Sequence, residues 1–594
     1  MPHFRRPRNP NTTFKLVAAV FVLTFYLLWS FFHPASSGSA PTKSKSLRPQ
    51  IQREEWRHVT HSLADASKAE RVRDVMRFTY KNYKERAWGA DDILPVSGAA
   101  SHSGNGWAGF IVDSAPTLVL VGLWDELAES VDFIISNIDF TRTDKLVDPF
   151  EATTRYLGGL LSLIDLSNAG LIPEAIISQA QKDGLLRQAL VLAQKLAPAY
   201  DTPTGMPWPL VNFSTATGHS DPSVPPYSHP TVRTGHTATI LENRALSHLT
   251  SDPIYLHNAT RAWSHFVWSP YETDLTGLPD GPVDIVTGAP VGREKGWDAA
   301  YHSALLKASM MLEGGIKDRY APIYLSRWHT AAQSLRHALV SRNAPAAEDG
   351  YAGAHLFLGR KSDTAYINEM VPATACAAPG TLLLGAQYLA SFPPTSTQGH
   401  SDADEKGTSL TPLALALLEG CHHVVTSSAL SDLAPGAWRW IPSPGTWMSR
   451  NSSFIPDSAG EWDQVRRAGG WVSESPDGGT RALRVSDARG FVESLFYAWR
   501  ITGQSRYRRW AWEVFRALEE RCRTGFGFAG VNIGVGGSDT GAGAEKAEWV
   551  DEGDSGAVRE MLKWLWLIFS DVKVARLEDW VFSNGGHPFR AGSQ

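Results

Sequence analysis

Helical periodicity runs through most of this 594-residue chain, and strand-like alternation is scarce. From about Glu54, apolar residues recur at spacings of three and four, as in ERVRDVMRFTYKNYKERAW, TLVLVGLWDELAESVDFIISNI and GFVESLFYAWRITG. This period buries one face of an α-helix. Gly, Pro, Ser and Asn clusters separate the segments, and two regions, about 201–232 and 441–487, are loop-rich. No long linker divides the pattern, which therefore predicts one all-α domain over residues 54–594, arranged as a toroid of helical hairpins.

One uncharged apolar segment precedes this domain. Residues 16–32 (LVAAVFVLTFYLLWSFF) are just long enough, at ~1.5 Å per residue, to approach the ~30 Å of a hydrocarbon core. The basic residues within positions 1–15 predict a cytoplasmic tail, which places the rest of the chain in the lumen. A cleaved signal peptide is the alternative, but no small-x-small cleavage site follows directly, which favours an uncleaved anchor. Residues 33–53 then form a flexible stem. The sequence thus predicts a single-pass type II membrane protein of the endoplasmic reticulum or Golgi.

Charge and cysteine content agree with a lumenal protein. The net charge of -5 gives no indication of nucleic-acid binding. Glycosylation sequons begin at Asn212, Asn258 and Asn451. The chain has three cysteines, at positions 376, 421 and 522, so an oxidising lumen allows one disulfide with one thiol left over.

The string DPFEATTRYLGGL, over residues 148–160, carries the most informative pattern. Glu151 and Arg155 stand four residues apart near a helix start and so share a face, which by itself indicates no more than a surface ion pair. The whole string resembles the signature FE-x-T-x-R-x-LGGL of the class I α-1,2-mannosidases, glycoside hydrolase family 47, in which its Glu is the general acid. YKERAWGADDILPVS, over 83–97, and IVDS, over 111–114, are similar to the strings that precede that signature in the family.

Further motifs follow in the family's order over residues 70–590. They are ENRALSHLTSDP from Glu242, GWD ending at Asp298, VESLFY containing Glu493, EMLKWLWLIFSD from Glu560, and VFSNGGHP containing Asn584. The chain is therefore identified as a divergent member of this family.

The resemblance implies an (α/α)7 barrel of seven helical hairpins with Ca²⁺ at its floor. It also implies inverting removal of terminal α-1,2-mannose from high-mannose N-glycans or glycoproteins. Site roles follow position by position: Glu151 is the general acid, Asp298 a second catalytic acid and Glu493 a further catalytic carboxylate. By the same resemblance Arg155 and Glu560 bind substrate, Asn584 stands at the position of a Ca²⁺ ligand, Cys376 pairs with Cys421, and Cys522 remains a free thiol.

Several acidic positions of the family are glycine in this chain. The family string RPE-x-VES supplies the catalytic base, and its first Glu corresponds to Gly490 within ARGFVES. Gly235, Gly436 and Gly585 stand at other acidic positions, and SGAV replaces an aromatic string from residue 555. Loss of a general base typically costs ~10²–10⁴-fold in rate. Glu493 or Asp487 could take its place.

Two functions follow from these departures. One is an active mannosidase-like glycosidase with an altered site. The other is a catalytically impaired, lectin-like relative that binds high-mannose glycans in glycoprotein quality control. A carboxylate in the space vacated at Gly490 would favour the first.

Overall fold

The computed structural model describes residues 49–224, 227–269, 271, 274–311, 320–343, 354–363, 365–391, 409–427, 433–443, 471–472, 482–532 and 548–591. The predicted anchor at 16–32 and the sequon at Asn451 lie outside these residues. Across the described ranges, no helix is both long enough and apolar enough to span a bilayer.

Helices make up most of the described chain, as the periodicity predicted. They are α1 (Ala66–Arg86), α2 (Gly109–Val121), α3 (Trp124–Asn137), α4 (Pro149–Glu151), α5 (Gly158–Asn168), α6 (Gln179–Leu196), α7 (Ile240–Thr250), α8 (Ile254–Val267), α9 (Ala299–Met310), α10 (Ala321–Ala338), α11 (Pro372–Ala375), α12 (Ala378–Ala390), α13 (Leu410–Ser427), α14 (Arg489–Thr502), α15 (Ser505–Ala517) and α16 (Ser555–Phe569). Two π-helical segments, Ala152–Leu157 and Leu518–Cys522, continue α4 and α15. Short 3₁₀ helices cover Glu54–Arg57, Ala197–Tyr200, Thr234–Thr237 and Val485–Ala488.

Seven of the helices in the described part of the chain form a closed ring. In order, α2, α5, α7, α9, α12, α14 and α16 each contact the next, and α16 contacts α2. Each ring helix also packs against an outer helix, in the same order α3, α6, α8, α10, α13, α15 and α1. The result is an α/α barrel of helical hairpins, in which the first helix of the domain pairs with the last.

Burial differs between the two layers because ring helices have neighbours on more sides. In α9 every residue from Tyr301 to Met310 is buried. The outer helix α15 buries only one face, which includes Tyr507, Trp510 and Phe515, and its charged residues lie on the other side. The continuous apolar runs and the amphipathic runs in the sequence therefore correspond to inner and outer helices.

One predicted helix is two helices in the structure. The segment TLVLVGLWDELAESVDFIISNI breaks at Gly122, whose φ of 74° ends α2 in the left-handed conformation. Glycine adopts this conformation without the steric cost that a Cβ atom imposes. The break turns one long amphipathic pattern into the inner and outer members of a hairpin.

The strands are only two or three residues long and lie in the loops that connect the helices. Antiparallel pairs are β1 (Asp92–Ile93) with β2 (Ala100–Ser101), β3 (Leu210–Asn212) with β4 (Thr217–His219), β5 (Thr231–Val232) with β6 (Val283–Asp284), β7 (Val340–Arg342) with β8 (Leu356–Leu358), β9 (Arg360–Lys361) with β10 (Tyr366–Ile367), and β17 (Trp580–Phe582) with β18 (Pro588–Arg590). Three-stranded sheets order β11 (Glu369–Met370), β12 (Trp438–Arg439) and β13 (Trp471–Val472), and β14 (Ala482–Leu483), β15 (Gly530–Asn532) and β16 (Glu548–Val550). The predicted loop region at 201–232 contains β3, β4 and β5.

One disulfide links two parts of the barrel, and the first described residues pack against it. Cys376 is bonded to Cys421, which confirms the expected pairing, and Cys522 is a buried free thiol. Ile51 is buried, and the backbone amide of Gln52 donates to Glu578 Oε1 at 2.8 Å. Residues that the sequence assigned to the end of the stem are therefore part of the folded domain.

Candidate functional site

One cavity of about 570 Å³ opens into the ring. Its walls come from the α4–α5 segment, from helices α2, α9, α11, α12, α14 and α16, from the loop residues 91–92 and 103–104, and from the turn between β17 and β18. Five of the predicted site residues line this cavity: Glu151, Arg155, Glu493, Glu560 and Asn584. Residues as far apart in the chain as Glu151 and Asn584 thus meet in one place.

The predicted general acid sits at the end of a capped helical turn. Asp148 caps α4 by accepting from the amides of Phe150 at 2.8 Å and Glu151 at 3.2 Å. The Glu151 side chain is 48% exposed and is bound by Arg155 Nη1 across one turn. Arg155 lies on the π-helical segment, a distortion that is frequent at functional sites.

A buried carboxylate that the site prediction omitted holds this pair. Asp113, on the apolar helix α2, accepts from Arg155 Nε at 3.0 Å and lies 3.5 Å from Arg559 Nη2 and from His587 Nε2. Burial raises the pKa of Asp113, but Arg155, His587 and Arg559 together outweigh it and hold that pKa well below its usual range. Asp113 therefore positions Arg155, and through it Glu151. The signal in the sequence was a single acid inside an otherwise apolar helix.

Asp298 lies beside the cavity and not among its lining residues. Its Oδ1 accepts from the Tyr301 amide at 2.8 Å and so caps α9, whose residues Ala299, Ser303 and Lys307 do line the cavity. Both carboxylate oxygens face Gly235, where an added Cβ would come within 2.7 Å of them. The structure gives Asp298 a helix-capping contact, and its catalytic role stays a prediction.

The space next to Gly490 is filled by main chain. A Cβ at this position would lie 2.5 Å from the carbonyl oxygen of Ala373 and 2.9 Å from the amide nitrogen of Ala377. Among the described residues, the three atoms nearest to that Cβ are all main-chain atoms and none belongs to a carboxylate. Asp487 is buried outside the cavity lining, where it accepts from the Arg484 amide at 3.1 Å. Of the two possible substitutes for the base, Glu493 alone lines the cavity.

Basic side chains hold two carboxylates of the cavity, Glu493 and Glu560, and the part of the lining around these two acids is called the cavity floor. Lys307 Nζ lies 3.6 Å from Glu493 Oε1, and Arg489 Nη1 lies 3.1 Å from Glu560 Oε2. Burial raises the pKa of Glu560, but the Arg489 and Lys563 cations outweigh burial and the net shift is downward. Lys563 Nζ donates to the Gly586 carbonyl. Glu560 is therefore an ion-paired carboxylate.

Glu242 is a second residue that the site prediction omitted. It is 1% exposed, and neither carboxylate oxygen has a hydrogen-bond partner among the described residues. Burial raises its pKa to about 7, and the nearby Ser583 hydroxyl and Lys307 ammonium offset only part of that rise. The Ser583 hydroxyl stands near Glu242 but outside hydrogen-bond geometry. Glu242 is the first residue of the family-like motif ENRALSHLTSDP, but the sequence analysis assigns it no role.

The described residues do not fit the expected Ca²⁺ site. Calcium takes six to eight oxygen ligands, several of them carboxylates. Asn584 Nδ2 donates to the Ala238 carbonyl at 3.0 Å, which leaves one amide oxygen for an ion. At Gly585 a Cβ would lie 2.3 Å from the Thr154 carbonyl oxygen, so no carboxylate can be carried there. The described ranges contain no group of three or more His, Cys, Asp or Glu side chains that could hold a metal.

Comparison with known proteins identifies relatives of most of the chain. The family model for glycosyl hydrolase family 47 matches residues 75–591. The chain is 29% identical over 545 residues to a probable mannosyl-oligosaccharide alpha-1,2-mannosidase 1B of Aspergillus clavatus, with 88% of this chain and 93% of that protein covered. It is 26% identical to a mannosyl-oligosaccharide 1,2-alpha-mannosidase of Arabidopsis thaliana, with 89% and 79% covered.

A solved structure supports the fold. The alpha-1,2-mannosidase from Trichoderma reesei superposes with a TM-score of 0.72 at 24% identity, covering 89% of this chain and all of that one. The chain belongs to glycosyl hydrolase family 47.

Proposed function

We propose that this family 47 protein is a glycoside hydrolase that removes α-1,2-linked mannose from high-mannose N-glycans with inversion. The observation that carries the proposal is that Glu151 and Glu493 line one cavity. Inverting hydrolysis requires a carboxylic acid on the leaving oxygen and a carboxylate on the opposite face that activates water. The relatives are named as mannosyl-oligosaccharide α-1,2-mannosidases, and the proposed substrate class follows from them.

Glu151 is the general acid in this proposal. It is exposed to the cavity at the end of α4, and Arg155 fixes its orientation, because Asp113 in turn holds Arg155. A protonated Glu151 gives its proton to the glycosidic oxygen as the bond to the leaving sugar breaks.

Glu493 replaces the missing base. It lies on α14 one helical turn after Gly490, and Lys307 holds its carboxylate at 3.6 Å. In this role Glu493 takes a proton from the water that attacks the anomeric carbon. Asp298 keeps α9 in place and so positions Lys307.

A second candidate function is glycan binding without turnover. The main chain of Ala373 and Ala377 occupies the space beside Gly490, which removes the family's base position altogether. If Glu493 is only an ion-paired ligand contact, the cavity binds mannose residues as a lectin does.

Single-turnover assays on the full-length protein distinguish the two candidates. High-mannose glycans are incubated with wild type, Glu151→Gln, Glu493→Gln and the control Glu129→Gln, which changes an exposed acid paired with Lys84. We expect the wild type to release mannose and the first two variants to lose about 10²–10⁴-fold in rate. Proton NMR of the first-formed anomer tests inversion. Retained glycan without mannose release supports the second candidate. A protein that shows neither glycan binding nor mannose release would refute both candidates.

We also propose the topology that the sequence indicates: anchorage through residues 16–32 with the barrel in the lumen of the endoplasmic reticulum or Golgi. The sequons at Asn212 and Asn258 lie in the barrel and support this orientation. A glycosidase-sensitive mass shift that is lost in the Asn212→Gln, Asn258→Gln double variant would support it. Protease accessibility of the barrel in sealed microsomes would contradict it.

A further inference from the structure

The cavity floor neutralises its own carboxylates. Arg489 Nη1 contacts Glu560 Oε2 at 3.1 Å, and Lys307 Nζ contacts Glu493 Oε1 at 3.6 Å. Lys563 Nζ and Glu560 Oε1 both face Gly586, where an added Cβ would come within 2.3 Å of the first and 3.0 Å of the second. Each of the two floor acids therefore has at least one side-chain cation at contact distance.

These cations compete directly with a divalent ion. An ion bound to Glu560 would have to displace Arg489 or share the carboxylate with it, and like charges brought together at a buried site repel. The backbone adds a second obstacle. The Thr154 carbonyl occupies the space that a side chain at residue 585 would need, and Asn584 Nδ2 donates to the Ala238 carbonyl, so that only the Oδ1 atom of this side chain could face an ion.

Arg489 is suited to do more than neutralise charge. It is the first residue of α14, it lines the cavity and its side chain is 39% exposed. Its guanidinium carries five N–H donors in a planar fork, and Glu560 accepts from one nitrogen in the described contacts. The remaining donors are available to hydroxyl oxygens of a bound sugar.

We infer that Arg489 takes the place of a divalent cation at the floor of this barrel, binding Glu560 on one side and the sugar hydroxyls of the ligand on the other. The protein then needs no bound Ca²⁺ for stability or for glycan binding. The ligand part of this inference rests on the proposed function, whereas the ion part does not.

Metal analysis tests the ion part. The full-length protein is equilibrated with about 1 mM CaCl₂, which is at the weak end of known calcium sites. Unbound ion is removed by gel filtration, and the bound metal is measured by plasma mass spectrometry. Thermal melts are recorded with CaCl₂ and with EDTA. We expect far less than one Ca²⁺ per chain and equal melting temperatures, since only a ligand bound to the folded state raises them. One Ca²⁺ per chain, or a melting temperature lowered by EDTA, overturns the inference.

Substitutions test the role of Arg489. Arg489→Gln removes the charge, Arg489→Lys keeps it without the planar fork, and Arg484→Gln is the control because Arg484 pairs with Glu552 at an exposed site outside the cavity. We expect glycan affinity in EDTA to fall about tenfold or more in Arg489→Gln, to fall less in Arg489→Lys, and to equal wild type in the control, in line with the worth of a charge-assisted hydrogen bond.

Equal affinity of wild type and both Arg489 variants overturns the role of Arg489. If Arg489→Gln does not fold, the comparison of Arg489→Lys with wild type decides. If wild type binds no glycan at all, the proposed function fails, and the metal analysis still decides whether the floor is independent of Ca²⁺.

Discussion

Substituting alanine for Gly490 should destabilise the barrel, although the same change normally stabilises a helix. Alanine is favoured over glycine inside a helix by about 1 kcal/mol. At this position the new Cβ would lie 2.5 Å from the Ala373 carbonyl oxygen and 2.9 Å from the Ala377 amide nitrogen. Both are main-chain atoms, so α11 or α14 must move to relieve the contact. Overpacking of this kind costs about 1–3 kcal/mol, and we take the upper end because no flexible side chain can yield.

The net expectation is a loss of about 2 kcal/mol in the free energy of unfolding. The folded unit spans Pro49–Ser593. At about 2.1 cal/mol/K of unfolding entropy per residue, this loss lowers the melting temperature by roughly 2 °C. Differential scanning calorimetry on the full-length protein resolves such a shift when both samples share buffer, scan rate and concentration.

Gly525→Ala provides the matched control. No atom lies within 4 Å of the Cβ that this change adds, and the backbone there does not require glycine. We expect its melting temperature to stay close to that of wild type. A melting temperature for Gly490→Ala at or above wild type would refute the reasoning, because it would show that the space beside Gly490 is open. Gly490→Glu, which restores the family's base, is expected to be less stable still and to gain no activity.

Two further predictions concern buried acids. Asp113→Asn should lower the free energy of unfolding by about 3–5 kcal/mol, since it removes the negative charge that contacts both the Arg155 and the Arg559 guanidinium; a calorimetric midpoint close to wild type would contradict the network described above. Glu242 has a pKa raised by burial from 4.5 to about 7. Its acid form is therefore retained in the folded state while the unfolded chain ionises, so stability falls by about 3 kcal/mol as the pH rises from about 4.5 to 7. Glu242→Gln should remove that part of the pH dependence. The check is to measure the melting temperatures of wild type and variant from about pH 4, close to the pKa of an unfolded Glu, to about pH 8. Equal slopes of melting temperature against pH in the two proteins would contradict the prediction.

Helix periodicity predicted the secondary structure well because it reports burial, and burial is repeated along every helix. It could not predict the strands, which are too short for alternation to show. Nor could it place the hairpin break inside the 117–138 segment, although Gly122 was a usable signal. The order of helices around the ring depends on loop paths, and amphipathic patterns do not encode those paths.

For the site residues, contacts within one helical turn were predictable from the sequence, and contacts between distant parts of the chain were not. The spacing of Glu151 and Arg155 predicted a contact that the structure contains, because one helical turn determines it. Asp298 caps α9 in the structure, a contact that an acid directly before a helix start could have indicated but that the sequence analysis did not predict. By contrast, the contact between Gly490 and Ala373 joins residues far apart in the chain. Neither spacing nor residue type reveals such a contact before the fold is known.

Three of the glycines at the family's acidic positions do not leave holes. Truncating a side chain in a packed interior ordinarily leaves a cavity and costs stability. Here the Ala373 carbonyl closes the space at Gly490, the Thr154 carbonyl closes it at Gly585, and the Asp298 carboxylate closes it at Gly235. A site that had only lost residues would still have room for the lost side chains, and single reversions could restore them.

Three closed spaces around one cavity instead indicate that the backbone and the remaining charges have repacked together. Function depends on the site and not on the fold, and this site keeps Glu151, Arg155 and Glu493 at one cavity. A repacked site of this kind still presents two carboxylates and a guanidinium group to the cavity.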